Sequence, residues 1–303
     1  MDLTTKLSEE FDIKHEYSQN LINLLDEGCT VPFIARYRKE MHGTLDDQTI
    51  RAFSDRLTYL RNLEKRKEEI IKLIDDQQKL TPDLILKINN AQTQTELEDI
   101  YRPYRPKRQT RATVAISKGL QPLADRILAQ KDLLGDIYEI ASEYIDAEKG
   151  VEASEQALQG ALDIIAEQIS DDADIRKELR EFLFKSAFIV TSLKPNEKVN
   201  TYLMYDNYKE QVCKMPGHRI LAINRGEKED CIKVGLEENE EKCLEIIKNN
   251  FKIKESIFEE KLNETVSDSF SRLILPSLER DIRNELFDNA AEGAIKMFEV
   301  NLK

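Results

Sequence analysis

From Ile50 to Ile74 the apolar residues Ile50, Phe53, Leu57, Leu60, Leu63, Ile70 and Ile74 recur at mostly helical spacing. A stripe of that length predicts one helix of about 30 residues, roughly 45 Å long at 1.5 Å per residue. Thr44-Leu-Asp-Asp47 reads as its start, with Thr44 as N-cap and acids in the first turn. The mixed-sign run Glu64-Lys-Arg-Lys-Glu-Glu69 in its middle reads as a solvated face with i,i+4 pairs. Ten Gly and eight Pro in 303 residues, with 34% charged, extend the helical expectation to the whole chain. That length supports a large core and two or more structural units.

Before this helix, Tyr17, Leu21, Leu24 and Leu25 form a stripe that ends at Gly28, where a left-handed C-cap fits. Pro32 suits the first turn of a short helix to Lys39 that carries Phe33, Ile34, Arg36, Arg38 and Lys39. The pair reads as helix-turn-helix-like, with DNA contact one reading and an ordinary helix join the other. After the long helix, Thr81-Pro82 starts a helix burying Leu84, Ile85 and Ile88, and Thr93-Gln-Thr-Glu96 offers a capping box for the next. Residues 121–185 read as a further bundle, and Asp171, Asp172 and Asp174 there fit helix capping better than Mg²⁺ binding.

From 186 the pattern changes. Phe188-Ile-Val-Thr191 is short and β-branched, Pro195-Asn-Glu is a turn signal, and Cys231-Ile-Lys-Val-Gly-Leu236 alternates as a strand does. Pro216 to Gly226 reads as a short helix or strand with His218, Arg219 and Arg225 at its ends. Tyr202, Tyr205 and Tyr208 could stack on bases or pack internally. The last 45 residues read as helical, with Pro276 expected to break or kink the helix. The apolar pattern still runs at Asn301-Leu-Lys303, as expected of a segment cut from a longer protein.

One stretch stands against the net charge of −13. Tyr101-Arg-Pro-Tyr-Arg-Pro-Lys-Arg-Gln-Thr-Arg111 carries Arg102, Arg105, Lys107, Arg108 and Arg111 with no acid among them. Pro103 and Pro106 keep it out of a helix interior. Guanidinium groups interleaved with Tyr101 and Tyr104 suit phosphates and bases. The competing reading is a connector whose arginines pair with nearby carboxylates. The candidate nucleic-acid contacts are therefore Arg36, Arg38, Lys39, Arg102, Tyr104, Arg105, Lys107, Arg108, Arg111, His218, Arg219 and Arg225.

Chemistry motifs are absent: there is no P-loop, GxGxxG, HExxH or G-x-S-x-G. His15, His42 and His218 lie in separate segments without neighbouring ligands, and His42 beside Gly43 reads as a turn residue. No enzyme activity, cofactor or metal is expected. Cys29, Cys213, Cys231 and Cys243 lack CxxC spacing, which fits a reducing cytoplasm. Neither a run of about 18 apolar residues nor a signal-peptide core occurs, so no membrane association is expected.

Several ordered segments resemble the bacterial Tex transcription accessory proteins. They are Val31-Pro-Phe-Ile-Ala-Arg-Tyr-Arg-Lys-Glu40 with Gly43-x-Leu-Asp46, Leu97 to Thr113 around the basic stretch, and Gly119-Leu-x-Pro-Leu-Ala124. Ala161-Leu-Asp-Ile-Ile-Ala166, His218-Arg-x-Leu-Ala222 with Arg225-Gly226, and Ile274-x-Pro-Ser-Leu-Glu-x-Asp281 continue the resemblance. It is weakest over 125–155 and 237–265. The resemblance implies an elongated, mainly helical protein that binds nucleic acid and acts in transcription, similar in core architecture to a eukaryotic elongation factor that also chaperones histones. It also implies RNase H-like, helix–hairpin–helix and S1 domains beyond Lys303, with S1 the principal nucleic-acid binder.

The expected fold is mainly α: an elongated multi-helix bundle with a helix-turn-helix-like N-terminal part and at most a small β element near 230–236. Its expected divisions are 1–120 with the basic stretch, 121–185, a mixed segment 186–254, and a helical segment 255–303. The expected function is a non-enzymatic scaffold making secondary contacts to RNA or DNA or to the transcription machinery. The alternative is a protein-interaction module that docks RNA polymerase or the downstream domains.

Overall fold

A computed structural model of the chain describes residues 2–106, 109–195 and 199–301. They form a mainly helical protein with one small sheet, in two compact units, Met1–Tyr101 and Arg102–Lys303.

The first unit contains α1 (Leu3–Glu10), α2 (His15–Asp26), α3 (Val31–Tyr37), α4 (Lys39–His42), α5 (Asp47–Asp75), α6 (Pro82–Asn90) and α7 (Gln94–Tyr101). The expected long helix is α5, 29 residues. Leu7, Leu21, Ile34, Ile50, Phe53 and Leu60 have no exposed surface and hold α1, α2, α3 and α5 together. Each such side chain taken out of water is worth about 1.5–3 kcal/mol. The cap of α5 is not Thr44. Thr44 and Gly43 take φ of +65° and +67°, which turns the chain before the helix can begin. Asp46 then caps it, accepting from the Thr49 amide at 2.7 Å. The charged run is also not a solvated face throughout. Lys67 is buried, with its Nζ donating to Glu64 Oε1 and to the Asn89 carbonyl, both at 2.9 Å, so it closes the C-terminal end of α6. Arg66 meets Glu98 at 2.8 Å and lies 5.7 Å from the centre of the Tyr101 ring, which ties α7 to the same stretch.

The second unit contains α8 (Arg111–Ser117), α9 (Gln121–Ala129), α10 (Ile137–Ser142), α11 (Ser154–Asp171), α12 (Ala173–Ser186), β1 (Phe188–Leu193), β2 (Tyr208–Gln211), α13 (Gly217–Lys228), β3 (Ile232–Glu237), α14 (Glu240–Phe251), α15 (Glu259–Asp268) and α16 (Leu275–Asn301). Helix α11 is its axis, burying Leu158, Leu162, Ile164, Ile165 and Ile169 on more than one face, as a helix surrounded by partners must. Gly160 lets the chain before α9 approach, since a Cβ there would lie 2.4 Å from Leu120 Cδ1. One core runs from Ala112 to Leu286 and crosses the divisions expected at 120, 185 and 254. Asp172 caps α12, accepting from the Asp174 and Ile175 amides. Arg176, with no exposed surface, reaches from α12 to Ser277 Oγ and Asp281 Oδ2 of α16, each at 3.2 Å.

The small β element is a three-stranded antiparallel sheet in the order β2-β1-β3. Strand β3 occupies the expected place and pairs Phe188–Leu193 against Glu237–Ile232. Strand β1 is the β-branched stretch read at 188–191, while Tyr-Lys-Glu-Gln of β2 carries no strand pattern and pairs because β1 offers its other edge. Of the two readings for 216–226, the helix is formed, as α13. Tyr202 and Tyr205 are buried against Ile223, Cys231 and Ile232. Pro276 does not break the chain's helical course. A π-helical segment, Ser269–Ile274, links α15 to α16, and it contains the carbonyl four residues back that Pro276 cannot serve. The turn read at Pro195-Asn-Glu falls largely outside the described residues.

Candidate nucleic-acid interface

The turn from α2 into α3 passes through Gly28, at φ +81°. Helix α3 buries Ile34 and turns Phe33, Arg36 and Tyr37 outward; Arg38, at φ −129° and ψ 31°, breaks it from α4, which begins with Lys39. Two contacts fix this segment on α2, and a third ties it to itself. Asn20 Nδ2 donates to the Met41 carbonyl at 3.0 Å. Gly43 sits against Tyr17, where a Cβ would lie 2.5 Å from Cε2 and φ disfavours any side chain. His42 is fully buried; its Nδ1 accepts from the Leu45 amide at 3.1 Å, which leaves Nε2 to donate to the Ile34 carbonyl at 3.2 Å.

On this support stands an outward surface of Arg36, Arg38, Lys39, Phe33 and Tyr37. Tyr37 is 64% exposed and Phe33 38%. Their rings lie 5.3 Å apart at 41°, and the Arg38 guanidinium carbon is 5.7 Å from the Phe33 ring centre. The other arginines of the unit differ. Arg51, Arg56, Arg61 and Arg66 each meet a carboxylate, at 3.9, 2.7, 2.6 and 2.8 Å. Among the described residues no carboxylate lies within ion-pair distance of Arg36, Arg38 or Lys39. Sequence reasoning chose the cations and passed over Tyr37. The i,i+4 spacing of Phe33 and Tyr37 on a short helix was the signal that could have found it.

The basic stretch is partly committed to its own unit. Arg102 Nε meets Asp171 Oδ1 at 3.2 Å, at the end of α11. Tyr104 and Arg105 also interact within the chain. Lys107 and Arg108 lie outside the described residues. Arg111 is exposed at the start of α8, where Thr110 and Thr113 form the capping box. Hydrogen bonds from Arg272, with the charge of Arg111 adding, hold the Asp268 carboxyl below the usual range. Arg111 therefore already has an anion in its field.

On α13, His218 and Arg225 are exposed and seven residues apart, which places them on one helix face. Arg219 is engaged elsewhere: its Nη1 donates to Glu210 Oε2 at 3.0 Å and to the Tyr208 hydroxyl at 3.1 Å. Burial works to raise the Glu210 carboxyl, and hydrogen bonds from Tyr208 and Arg219 outweigh it. Sequence reasoning did not anticipate Asp171 or Glu210, whose partners lie 69 and 9 residues away.

Among the described residues no group of three His, Cys, Asp or Glu side chains is placed to hold a metal ion, and no helix is long and apolar enough to cross a membrane. Residues 1–75 match the Tex-like protein N-terminal domain, and residues 135–298 match the Tex central region-like family. The protein YdcI of Bacillus subtilis is 45% identical over 99% of this chain and 42% of its own length. The transcriptional accessory protein Tex of Neisseria gonorrhoeae is 37% identical over 100% of this chain and 41% of its own. The human S1 RNA-binding domain-containing protein 1 is 30% identical over 100% of the chain and 32% of its own. The chain thus spans about two fifths or less of the length of these relatives. With more than half of its residues matching the Tex central region and residues 1–75 matching the Tex N-terminal domain, the chain belongs to the Tex family.

Proposed function

We propose that this chain is a non-enzymatic helical scaffold of a transcription accessory protein, making secondary contacts to nucleic acid. The observation that carries the reading is the set of cations on α3 and α4 without a carboxylate partner among the described residues, in a unit whose other arginines are paired. An exposed guanidinium without a partner is free to meet a phosphate, and phosphate contacts dominate nucleic-acid affinity. The names of two relatives support the setting: one is a transcriptional accessory protein and another an S1 RNA-binding domain-containing protein. Arg105, Lys107, Arg108, Arg111, His218 and Arg225 are secondary candidates in this reading.

The test is a titration of the 303-residue chain with labelled single- and double-stranded oligonucleotides. Binding should weaken with salt by about 0.7–0.9 in log–log slope per neutralised phosphate. The triple variant Arg36→Ala, Arg38→Ala, Lys39→Ala should lose two to three contacts' worth of that slope, about 1.5–2.5. Absence of any binding at about 50 mM salt would remove the proposal. A second reading, a protein-interaction module for polymerase or other domains, draws on the pairing of Arg102 with Asp171 and of Arg219 with Glu210. Replacing Arg102, Arg105 and Arg108 by Ala without effect on nucleic-acid affinity would favour it for the basic stretch.

A further inference from the structure

The α3–α4 surface has a chemical character that cations alone do not explain. Its outward centre is aromatic: Tyr37 stands exposed, backed by Phe33, which is itself flanked by Arg38. A duplex hides the faces of its bases and offers only edges, which are read by hydrogen-bond donors and acceptors in the grooves. A helix presenting two rings with a single hydroxyl between them is poorly supplied for that task. An unpaired base exposes its π-face, and a ring flanked by guanidinium groups is suited to take it. Helix α3 is also only seven residues, about 10 Å, and ends in a backbone break at Arg38, so it presents little length to a major groove.

We infer that this surface takes single-stranded nucleic acid, with a base stacked on Tyr37 and the adjoining phosphates held by Arg36, Arg38 and Lys39. The inference rests on the function proposed above and narrows its ligand class. Phe33 orders the Tyr37 ring before a ligand arrives, at 5.3 Å between centroids, which lowers the ordering cost of binding. Glu40, the only carboxylate from Val31 to Gly43, is exposed at the edge of the surface and opposes the phosphates.

The experiment measures anisotropy of labelled dT20, U20 and a 20-base-pair DNA duplex with the full chain at about 50 mM salt. Single strands should bind more tightly than the duplex, with the dT20 and U20 arms separating DNA from RNA. Tyr37→Ala should weaken single-strand binding about 5- to 100-fold and leave duplex binding unchanged, while Tyr37→Phe keeps the wild-type affinity. Because Tyr37 is exposed, thermal unfolding of both variants should match the parent. Duplex binding equal to or tighter than single-strand binding, or single-strand affinity untouched by Tyr37→Ala, would overturn the inference and leave the wider function standing. No binding to any of the three would overturn both.

Discussion

His42 shows how a single residue places the candidate surface. Both ring nitrogens are used, one accepting from Leu45 and one donating to Ile34, and no water reaches them. Truncation leaves the part-buried Leu45 amide without its partner, takes the Nε2 donor from the Ile34 carbonyl, which keeps the Arg38 amide, and opens a cavity in place of the buried ring. An unpartnered polar group costs about 1–3 kcal/mol. His42→Ala should therefore destabilise the chain by about 2–4 kcal/mol, read as a lower urea midpoint. The sequence put His42 in a turn, whereas it closes the short helix α4 just before the turn at Gly43. Its anchoring role was not legible, because that needs Ile34 and Leu45 brought to opposite sides of one ring. Cys243 gives the same lesson: burial, reinforced by Glu238 and Glu240, pushes its thiol up to about 12, and no spacing in the chain announces it.

At the scale of elements, α5 is the frame of the first unit, and its ion pairs are directional. Hydrogen bonding from Arg56 lowers the Glu10 carboxyl, and Arg61 does the same for Asp26, tying α1 and α2 to α5. A carboxylate depressed in the folded state stabilises above its unfolded value of about 4 and loses that contribution as pH falls through the folded one. Stability of the first unit should therefore hold from pH 7 to about 4 and decline below, with Arg56→Gln making the decline shallower in urea titrations. Added salt should weaken the effect, since these pairs are partly exposed. The length of α5 was legible to within a residue or so from its stripe. The fate of its charged run was not, because Lys67 is buried only once α6 presents the Asn89 carbonyl to it.

For the whole molecule, a net charge of −13 means that any polyanion contact must be local, made where cations stand free of carboxylates. Beside a smaller cluster around Tyr202 and Ile223, most of the second unit shares a core that the separate helical stripes do not reveal. Phe270, on the π-helical segment and only 1% exposed, lies inside it. Phe270→Ala should cost about 3–5 kcal/mol and lower hydrogen-exchange protection in α11 and α15 together rather than in one helix.

By itself the sequence determined the helices with long stripes or strong caps, α5 by its stripe and α6 and α12 among the capped, the strand at β3, and the family. Those features rest on local periodicity and on side chains that cap their own backbone. Only the tertiary structure decided which charges are spent and which remain. An ion pair such as Arg102 with Asp171 joins residues 69 apart, and exposure of Tyr37 depends on what fails to pack over it. The basic stretch, most conspicuous as a string of letters, proved partly engaged, while the quieter Arg36–Lys39 segment kept its cations facing outward.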